Sequence, residues 1–364
     1  MEKLLLCSHA YVSTENLVKP RFLAEKFRVV LVVPKKWQAM GRELRVANGL
    51  QTFFSGNSGK YFYNPISLFF TFVKFRPNIL YVEEEPWTPA AFELFLFGRL
   101  FRVKRKVIFS WENLDLPLAW WQRLIKKFVL SNIDLAVAGN NEAKVLLEKY
   151  LLGLERENVS VKVNAQFGVD TNLFKPEAKI KKSKVFTIGF VGRFVESKGI
   201  DTLIESLAIL PKDCRLLLVS TTTLPKQFEN LAEKFKIRSS IEIVEGKPHQ
   251  DLPKYLNKMD VFVLPSKTTQ TWKEQFGRVL IEAMACGLPV VGSNSGAIPE
   301  VIGKAGLIFE ENNPKDLVQK ILKIKKSPKL KKELSVKSLK KVTSFYTHRK
   351  VVTKLIDIFV STLC

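Results

Sequence analysis

Two glutamates eight residues apart, Glu274 and Glu282, and two cations five apart, Arg193 and Lys198, have the types and spacing to do chemistry. Glu274 stands before residues 276–286, where Val279, Leu280, Ala283 and Met284 recur at helical spacing until Gly287 and Pro289 end the pattern. On that helix Glu282 would lie roughly 9 Å beyond Glu274 and about 80° around the axis, too far for the two to share one proton. Separated carboxylates at a helix start suit two hydroxyl-bearing groups on either side of a phosphate. The free N–H groups and the positive end of the helix dipole attract the anion. Gly277 lets the backbone of Phe276, Gly277 and Arg278 approach it without a Cβ in the way. Leu280-Ile281 and Ala283-Met284 flank Glu282, so a buried carboxylate there needs a partner. By residue type alone, either one is more often an ordinary helix charge than a ligand contact.

The second element is Gly192-Arg193-x4-Lys198-Gly199. A glycine at a strand end permits close approach, arginine offers a rigid fork and lysine a point charge, a set that suits a diphosphate. Taken alone, such a pair is also common surface charge. No Asp-x-Asp occurs, which argues against a diphosphate held by a metal. The cysteines (Cys7, Cys214, Cys286, Cys364) are widely spaced and histidines number 3, which suggests neither a zinc site nor a disulfide framework. A reducing cytosol is the simple inference.

These side chains need elements to hold them. Residues 261–264 form a short, wholly apolar run, as expected of a parallel strand buried on both faces, and Pro265 stops it. Val290-Val291 begins another strand, and 293–296 turn into a short helix. Two consecutive strand–loop–helix units therefore put two helix N-termini on one rim of a sheet. A strand at 186–191 delivers Gly192, a helix at 200–210 follows Gly199, and further strands are expected at 215–219 and 241–244. The first half alternates likewise, with strands expected at 3–8, 28–33, 79–82, 107–110, 135–138 and 159–163 and a helix at 19–27. Alternation of this kind means βαβ units and parallel sheets. With 364 residues the chain has room for two domains. The expected fold class is α/β: two Rossmann-like, doubly wound parallel-sheet domains, 1–176 and 177–344, with their strand ends toward a shared cleft. A lysine-rich polar stretch at 177–183 suits a linker.

The stretch EQFGRVLIEAMACGLPVV, with Glu274-x7-Glu282, resembles the signature of retaining GT-B glycosyltransferases of family 4. Gln166-Phe-Gly-Val-Asp-Thr-Asn-Leu-Phe-Lys-Pro176 is similar to another segment of that family, with Gln-Phe in place of the usual Asn. The resemblance spans nearly the whole chain and is strongest over 189–306. It implies a donor domain in the second half and an acceptor domain in the first, with the last helix, 345–364, packed back on the first. It implies that Glu274 contacts the donor sugar, that Glu282 contacts the ribose, and that Arg193 and Lys198 neutralise the departing diphosphate. Gly192 and the backbone at Phe276, Gly277 and Arg278 complete the implied donor site. The donor would be a nucleotide sugar such as a UDP-, GDP- or ADP-sugar, with no metal and no further cofactor. Transfer would retain the anomeric configuration by front-face attack, to a glycan or lipid-linked acceptor in polysaccharide or glycoconjugate synthesis.

The sequence departs from that family at three places. Ser8-His9-Ala10-Tyr11 stands where a glycine-rich loop is common, and His9 is either a loop polar residue or an acceptor contact. Ser110-Trp111-Glu112-Asn113 lies where relatives often have a histidine, and Ser220-Thr221-Thr222-Thr223 where Gly-x-Gly is usual. Glu83-Glu84-Glu85 is conspicuous in a basic chain; these acids offset nearby lysines or bind acceptor hydroxyls.

A net charge of +23 and a pI near 9.8 call for an anionic partner. Between 315 and 350 stand 13 Lys/Arg against Asp316 and Glu333, either a binding surface or a solvated helix face. Arg99, Arg102, Lys104, Arg105 and Lys106 lie among Phe92, Phe95, Phe97 and Phe101. Trp120 and Trp121 lie beside Arg123, Lys126 and Lys127. Such mixtures suit a peripheral contact with anionic membrane, or else the aromatics are core and the cations solvated. No run approaches the ~18 apolar residues of a membrane span. The expected location is the cytoplasm, with the inner face of the membrane as the peripheral contact. Competing readings are a nucleic-acid-binding protein, suggested by charge but by no motif, and a GT-B epimerase or phosphorylase. On balance no nucleic-acid partner is expected.

Overall fold

The computed structural model describes residues 1–34, 37–39, 42–44, 52–55, 62–177 and 185–361. All but the first residue of the expected linker at 177–183, and Cys364, lie outside them. The chain divides into two compact units, Met1–Phe167 with Val351–Cys364, and Gly168–Lys350. Residues 168–176, assigned by sequence to the first domain, belong to the second unit. The Val169 N–H donates to Tyr346 O at 2.8 Å, and Val169 bridges Thr347.

In the first unit the apolar runs become β1 (Lys3–Cys7), β2 (Arg28–Pro34), β3 (Trp37–Ala39), β4 (Arg42–Leu44), β5 (Thr52–Ser55), β6 (Ile79–Val82), β7 (Arg105–Ser110), β8 (Leu135–Ala138) and β9 (Ser160–Val163). Except for the β3–β4 hairpin they join one parallel sheet in the order β5-β2-β1-β6-β7-β8-β9. β1 is an interior strand: Leu5 pairs with Val30 on one side and Leu80 on the other, and Leu4, Leu5 and Leu6 are wholly buried. Burying each leucine stabilises the unit by about 1.5–3 kcal/mol before chain entropy is charged.

The helices of this unit are α1 (Val18–Leu23), α2 (Pro65–Phe75), α3 (Pro89–Leu100), α4 (Trp120–Ser131) and α5 (Asn141–Leu152). Asn64 caps α2 and Thr88 caps α3, each followed by proline at the first position, where a missing N–H costs nothing. Helices α2 to α5 bury their inner sides in one core with Leu5, Leu80 and Ile108 from one face of the sheet. The α3 aromatics belong largely to that core: Phe95 is wholly buried, and Phe97 and Phe101 stack on Phe72 of α2. Trp120 and Trp121, by contrast, are exposed.

The second unit has β10 (Phe186–Val191), β11 (Cys214–Val219), β12 (Ile241–Val244), β13 (Val261–Leu264), β14 (Val290–Ser293) and β15 (Gly306–Phe309). They form a parallel sheet ordered β12-β11-β10-β13-β14-β15. Its helices are α6 (Ile200–Ile209), α7 (Lys226–Lys234), α8 (Leu252–Leu256), α9 (Arg278–Ala285), α10 (Ile298–Ile302), α11 (Pro314–Lys326) and α12 (Pro328–Lys341). The lysine-rich tail is the outer side of α11 and α12, whose Leu317, Ile321, Ile324 and Leu334 face the core. Some of its lysines are paired, Lys331 with Asp260 and Lys325 with Asp213. A last helix, α13 (His348–Ser361), begins in this unit. From Val351 it belongs to the first, where Leu355 and Phe359 join Leu4, Leu6 and Tyr81 in the core on the other face of the sheet.

Candidate active site

The second unit gathers its polar side chains at the C-terminal ends of β10 and β13, which are adjacent in the sheet. β10 delivers half-exposed Gly192 and exposed Arg193. The Arg193 guanidinium makes no hydrogen bond or ion pair with any described residue, while its carbonyl accepts from the Val195 N–H at 3.0 Å. A single turn, Glu196–Lys198, then sets Lys198 before Gly199, which has φ 68°. A Cβ on Gly199 would lie 2.0 Å from the carbonyl oxygen of Pro265, so only glycine lets this turn close on the β13 loop.

Contact with that loop is specific. Lys198 Nζ donates to Glu274 Oε2 at 2.6 Å, Ser266 Oγ donates to the same oxygen at 2.8 Å, and Lys198 lies 4.6 Å from the Trp272 ring centroid. Glu274 is buried, and these contacts supply the partners that a buried carboxylate needs.

Helix α9 starts at the end of this loop. Its N-cap is Gly277 at φ 74°, which offers no side chain to cap the first turn, and the Leu280 N–H bonds back to the Gly277 carbonyl at 2.7 Å, leaving the positive end of the helix dipole without a side-chain cap. A Cβ at position 277 would lie 2.8 Å from Leu264 Cδ2. The sequence pattern implied a one-sided helix, whereas Leu280, Ile281, Ala283 and Met284 are all buried, and Glu282 with them. Glu282 Oε1 is hydrogen-bonded to His249 Nε2 at 2.8 Å and forms an ion pair with Arg278 Nε at 3.2 Å. Both contacts fall on Oε1; Oε2 accepts no hydrogen bond from a described residue. His249 packs its ring against Phe174, and Phe276 packs edge-on to Tyr346.

Glu274 and Glu282 therefore sit in separate clusters, Lys198–Glu274–Ser266 and Arg278–Glu282–His249, as their helical spacing required. His249, Ser266 and Trp272 went unnoticed in the sequence. Ser266 follows a strand end and was within reach of a motif search. His249 carries no periodic or spacing signal toward a glutamate 33 residues away. Ser220-Thr221-Thr222 forms its own turn beside this site, with the Phe194 N–H donating to Thr222 Oγ1 at 3.1 Å. Among the described residues, no three His, Cys, Asp or Glu side chains group as a metal site would require.

The first unit has a cavity of about 230 Å³ at the C-terminal ends of its strands, walled by Phe62, Tyr63, Trp87, Phe109 and Trp111. The Glu83–Glu85 run lines it. Glu83 pairs with the buried Lys19 and accepts from Tyr11 Oη at 2.7 Å and Gln166 Nε2 at 2.9 Å. Glu84 binds His9 Nδ1 at 2.8 Å. Burial alone would lower the His9 pKa, but the Glu84 charge and hydrogen bond outweigh it and raise it. Glu85 accepts from Ser110 Oγ at 2.5 Å and from the Trp111 N–H at 2.8 Å. Burial pushes the Glu85 carboxyl up to about 7 against those two donors. Trp111 Nε1 in turn donates to Gln166 Oε1 at 2.8 Å. His9 and the three glutamates thus form one hydrogen-bonded floor under aromatic walls, a lining that suits hydroxyl-rich rings.

Residues 171–341 match the family model described as glycosyl transferases group 1, which covers most of the second unit. A glycosyltransferase of Methanocaldococcus jannaschii, itself uncharacterised, is 37% identical over 147 residues, 40% of this chain and 40% of that protein. The capsular polysaccharide biosynthesis glycosyltransferase CapM of Staphylococcus aureus is 30% identical over 187 residues, 50% of this chain and 48% of that protein. The chain thus spans less than half the length of either curated relative. HepE of Anabaena, solved in complex with UDP, superposes with a TM-score of 0.78 at 16% identity, covering 99% of this chain and 100% of that one. This likeness identifies the fold as GT-B, with two Rossmann-like units.

Proposed function

We propose that this protein is a retaining, family 4 type glycosyltransferase that moves a sugar from a nucleoside-diphosphate sugar to a hydroxyl of a glycan or lipid-linked acceptor. The observation that carries this reading is the uncapped start of α9 flanked by two buried, separately partnered carboxylates, Glu274 and Glu282. The family match over the same stretch supports it.

In this reading the diphosphate lies at the α9 N-terminus against the backbone at Phe276, Gly277 and Arg278, beside Gly192. Arg193 and Lys198 neutralise the charge that grows on the leaving phosphate. Glu274 binds a donor-sugar hydroxyl, and Glu282 Oε2 accepts from the ribose. The acceptor hydroxyl attacks the anomeric carbon from the face of the departing diphosphate. The carbon–oxygen bond to phosphate breaks, the new glycosidic bond forms, and the acceptor's proton passes to the leaving phosphate oxygen. No step calls for a metal. The glutamate-floored cavity of the first unit is the natural seat for the acceptor. CapM's name supports polysaccharide synthesis as the setting, and the HepE complex supports UDP as the first nucleotide to try. The buried free thiols of Cys7, Cys214 and Cys286 suit a cytoplasmic location.

The test is thermal stabilisation by UDP, GDP and ADP and their sugar derivatives in the presence of a chelator, followed by an acceptor screen with the donor that binds. Stabilisation by one nucleotide series, with transfer rather than epimerisation or phosphorolysis, is expected. Binding to nucleic acid with a steep salt slope, and to no nucleotide, would sink the proposal.

A further inference from the structure

Nearly half of the large apolar side chains that stand exposed among the described residues lie between Phe62 and Leu124. Apart from Phe62, which precedes α2, they occur on α2 and α4 and at the end of α3, helices that share one core and so present one outer surface. α2 contributes Ile66, Phe69, Phe70 and Val73, with Ile66 68% and Phe70 53% exposed. α4 contributes Trp120, 74% exposed, with Trp121 and Leu124. α3 bridges them: Phe101 beyond its end meets Phe69 at 5.7 Å, and its Phe92 meets Phe128 of α4 at 4.9 Å. Phe101 and Phe128 pack against the core, whereas the exposed side chains of α2 and α4 are not among the buried residues, Phe72, Phe95 and Val129 included, that fill it.

The charge on this layer has one sign. The three helices hold a single acid, Glu93, and its carboxylate is engaged by the Tyr63 N–H. Exposed cations border the apolar side chains: Lys74 and Arg76 at the end of α2, Arg99 and Arg102 at the end of α3, Arg123 and Lys127 on α4. We infer that this α2–α3–α4 face docks on an anionic lipid bilayer, with the tryptophans and phenylalanines in the headgroup–acyl boundary and the cations on lipid phosphates. A second copy of the chain would bring like charges together. A nucleic acid would match the cations but leave Ile66, Leu124 and the two tryptophans in water.

This inference stands without the donor reading. If the acceptor reading also holds, it has a consequence: Phe62 both lines the glutamate-floored cavity and immediately precedes α2, so a lipid-carried acceptor would meet the cavity at the docked face.

The experiment is flotation of the full chain with phosphatidylcholine vesicles, with and without phosphatidylglycerol, while tryptophan emission is followed. Binding to the anionic vesicles with a blue shift is expected. Each cation near such a surface contributes about fivefold, so Arg123→Gln/Lys127→Gln should lower the partition coefficient about 25-fold. Trp120→Ser/Trp121→Ser and Ile66→Ser/Phe70→Ser, all at exposed positions, should abolish the insertion step with thermal unfolding unchanged. Failure to bind anionic vesicles, or binding that neither apolar pair weakens, overturns the inference. So does a dimer in sedimentation equilibrium that these same substitutions dissolve, or aromatic-independent capture of a DNA duplex in place of the vesicles.

Discussion

Replacing Glu282 by alanine tests the donor site most directly. Its Oε1 is taken by His249 and Arg278, leaving Oε2 for a ligand hydroxyl. A hydrogen bond to a charged group contributes about 1.5–3 kcal/mol; taking about 2 kcal/mol, the nucleotide Kd rises roughly thirtyfold. At a nucleotide concentration of about 100 Kd the wild type gains about 2.7 kcal/mol; at the same concentration the variant retains only about 0.9 kcal/mol. Roughly two-thirds of the ligand-induced shift in Tm should therefore vanish. The ligand-free variant will also melt lower, because Arg278 loses a buried partner, so each protein must be compared with its own ligand-free melt. Inorganic diphosphate lacks a ribose, and its stabilisation should survive the substitution. If the variant melts cooperatively and keeps the full nucleotide shift, or loses the diphosphate and nucleotide shifts together, the assignment of Glu282 to the ribose is wrong.

Three further outcomes follow from the geometry. Lys198→Met removes the cation beside Glu274 and the leaving phosphate, and should lower kcat by about 10²–10³ with a smaller change in KM, measured by sugar transfer once the donor is known. Lys19→Met strands the buried Glu83 carboxylate and should cost about 3–5 kcal/mol in denaturant unfolding, most of it recovered in Lys19→Met/Glu83→Gln. Burial and the nearby Arg278 hold the His348 imidazole down at about 4, below its unfolded value. As pH falls the unfolded chain takes the proton first, so stability declines from about pH 6.5 toward about 4 and is unaffected above that window. At about pH 5 the loss should be roughly 2 kcal/mol, and His348→Gln should flatten it in Tm-versus-pH measurements.

The two clusters explain how two glutamates can flank one helix start without sharing a partner. Glu274 is held by a lysine and a serine from neighbouring strand ends, Glu282 by a histidine and by the arginine one turn back on its own helix. Each carboxylate is partnered inside the protein and keeps its own role. The Arg193 guanidinium, by contrast, has no hydrogen-bond or ion-pair partner among the described residues and stays exposed, a cation that the second unit's own packing does not use.

Sequence alone determined most of the parallel strands and the architecture they imply. Val261–Leu264 and Phe186–Val191 are apolar runs whose length and flanking turns leave little choice, and Gly277 and Gly287 bracket α9 because each has positive φ. The distinctive residues at the start of α9 lie within one short segment, so their order along the chain already carried the motif. Tertiary structure decided the rest. β15 at Gly306–Phe309 and the edge strand β5 were not foreseen, since a half-buried or edge strand carries a weaker apolar signal than a central one. Periodicity could not say which aromatics of the first unit are core: Phe95 is sealed in the core, while Trp120 on the next helix stands in water. It could not find His249 for Glu282, Ser266 for Glu274, or Lys19 for Glu83. Local patterns report only each residue's own helix face or strand side, whereas parallel crossovers bring together side chains separated by whole βαβ units.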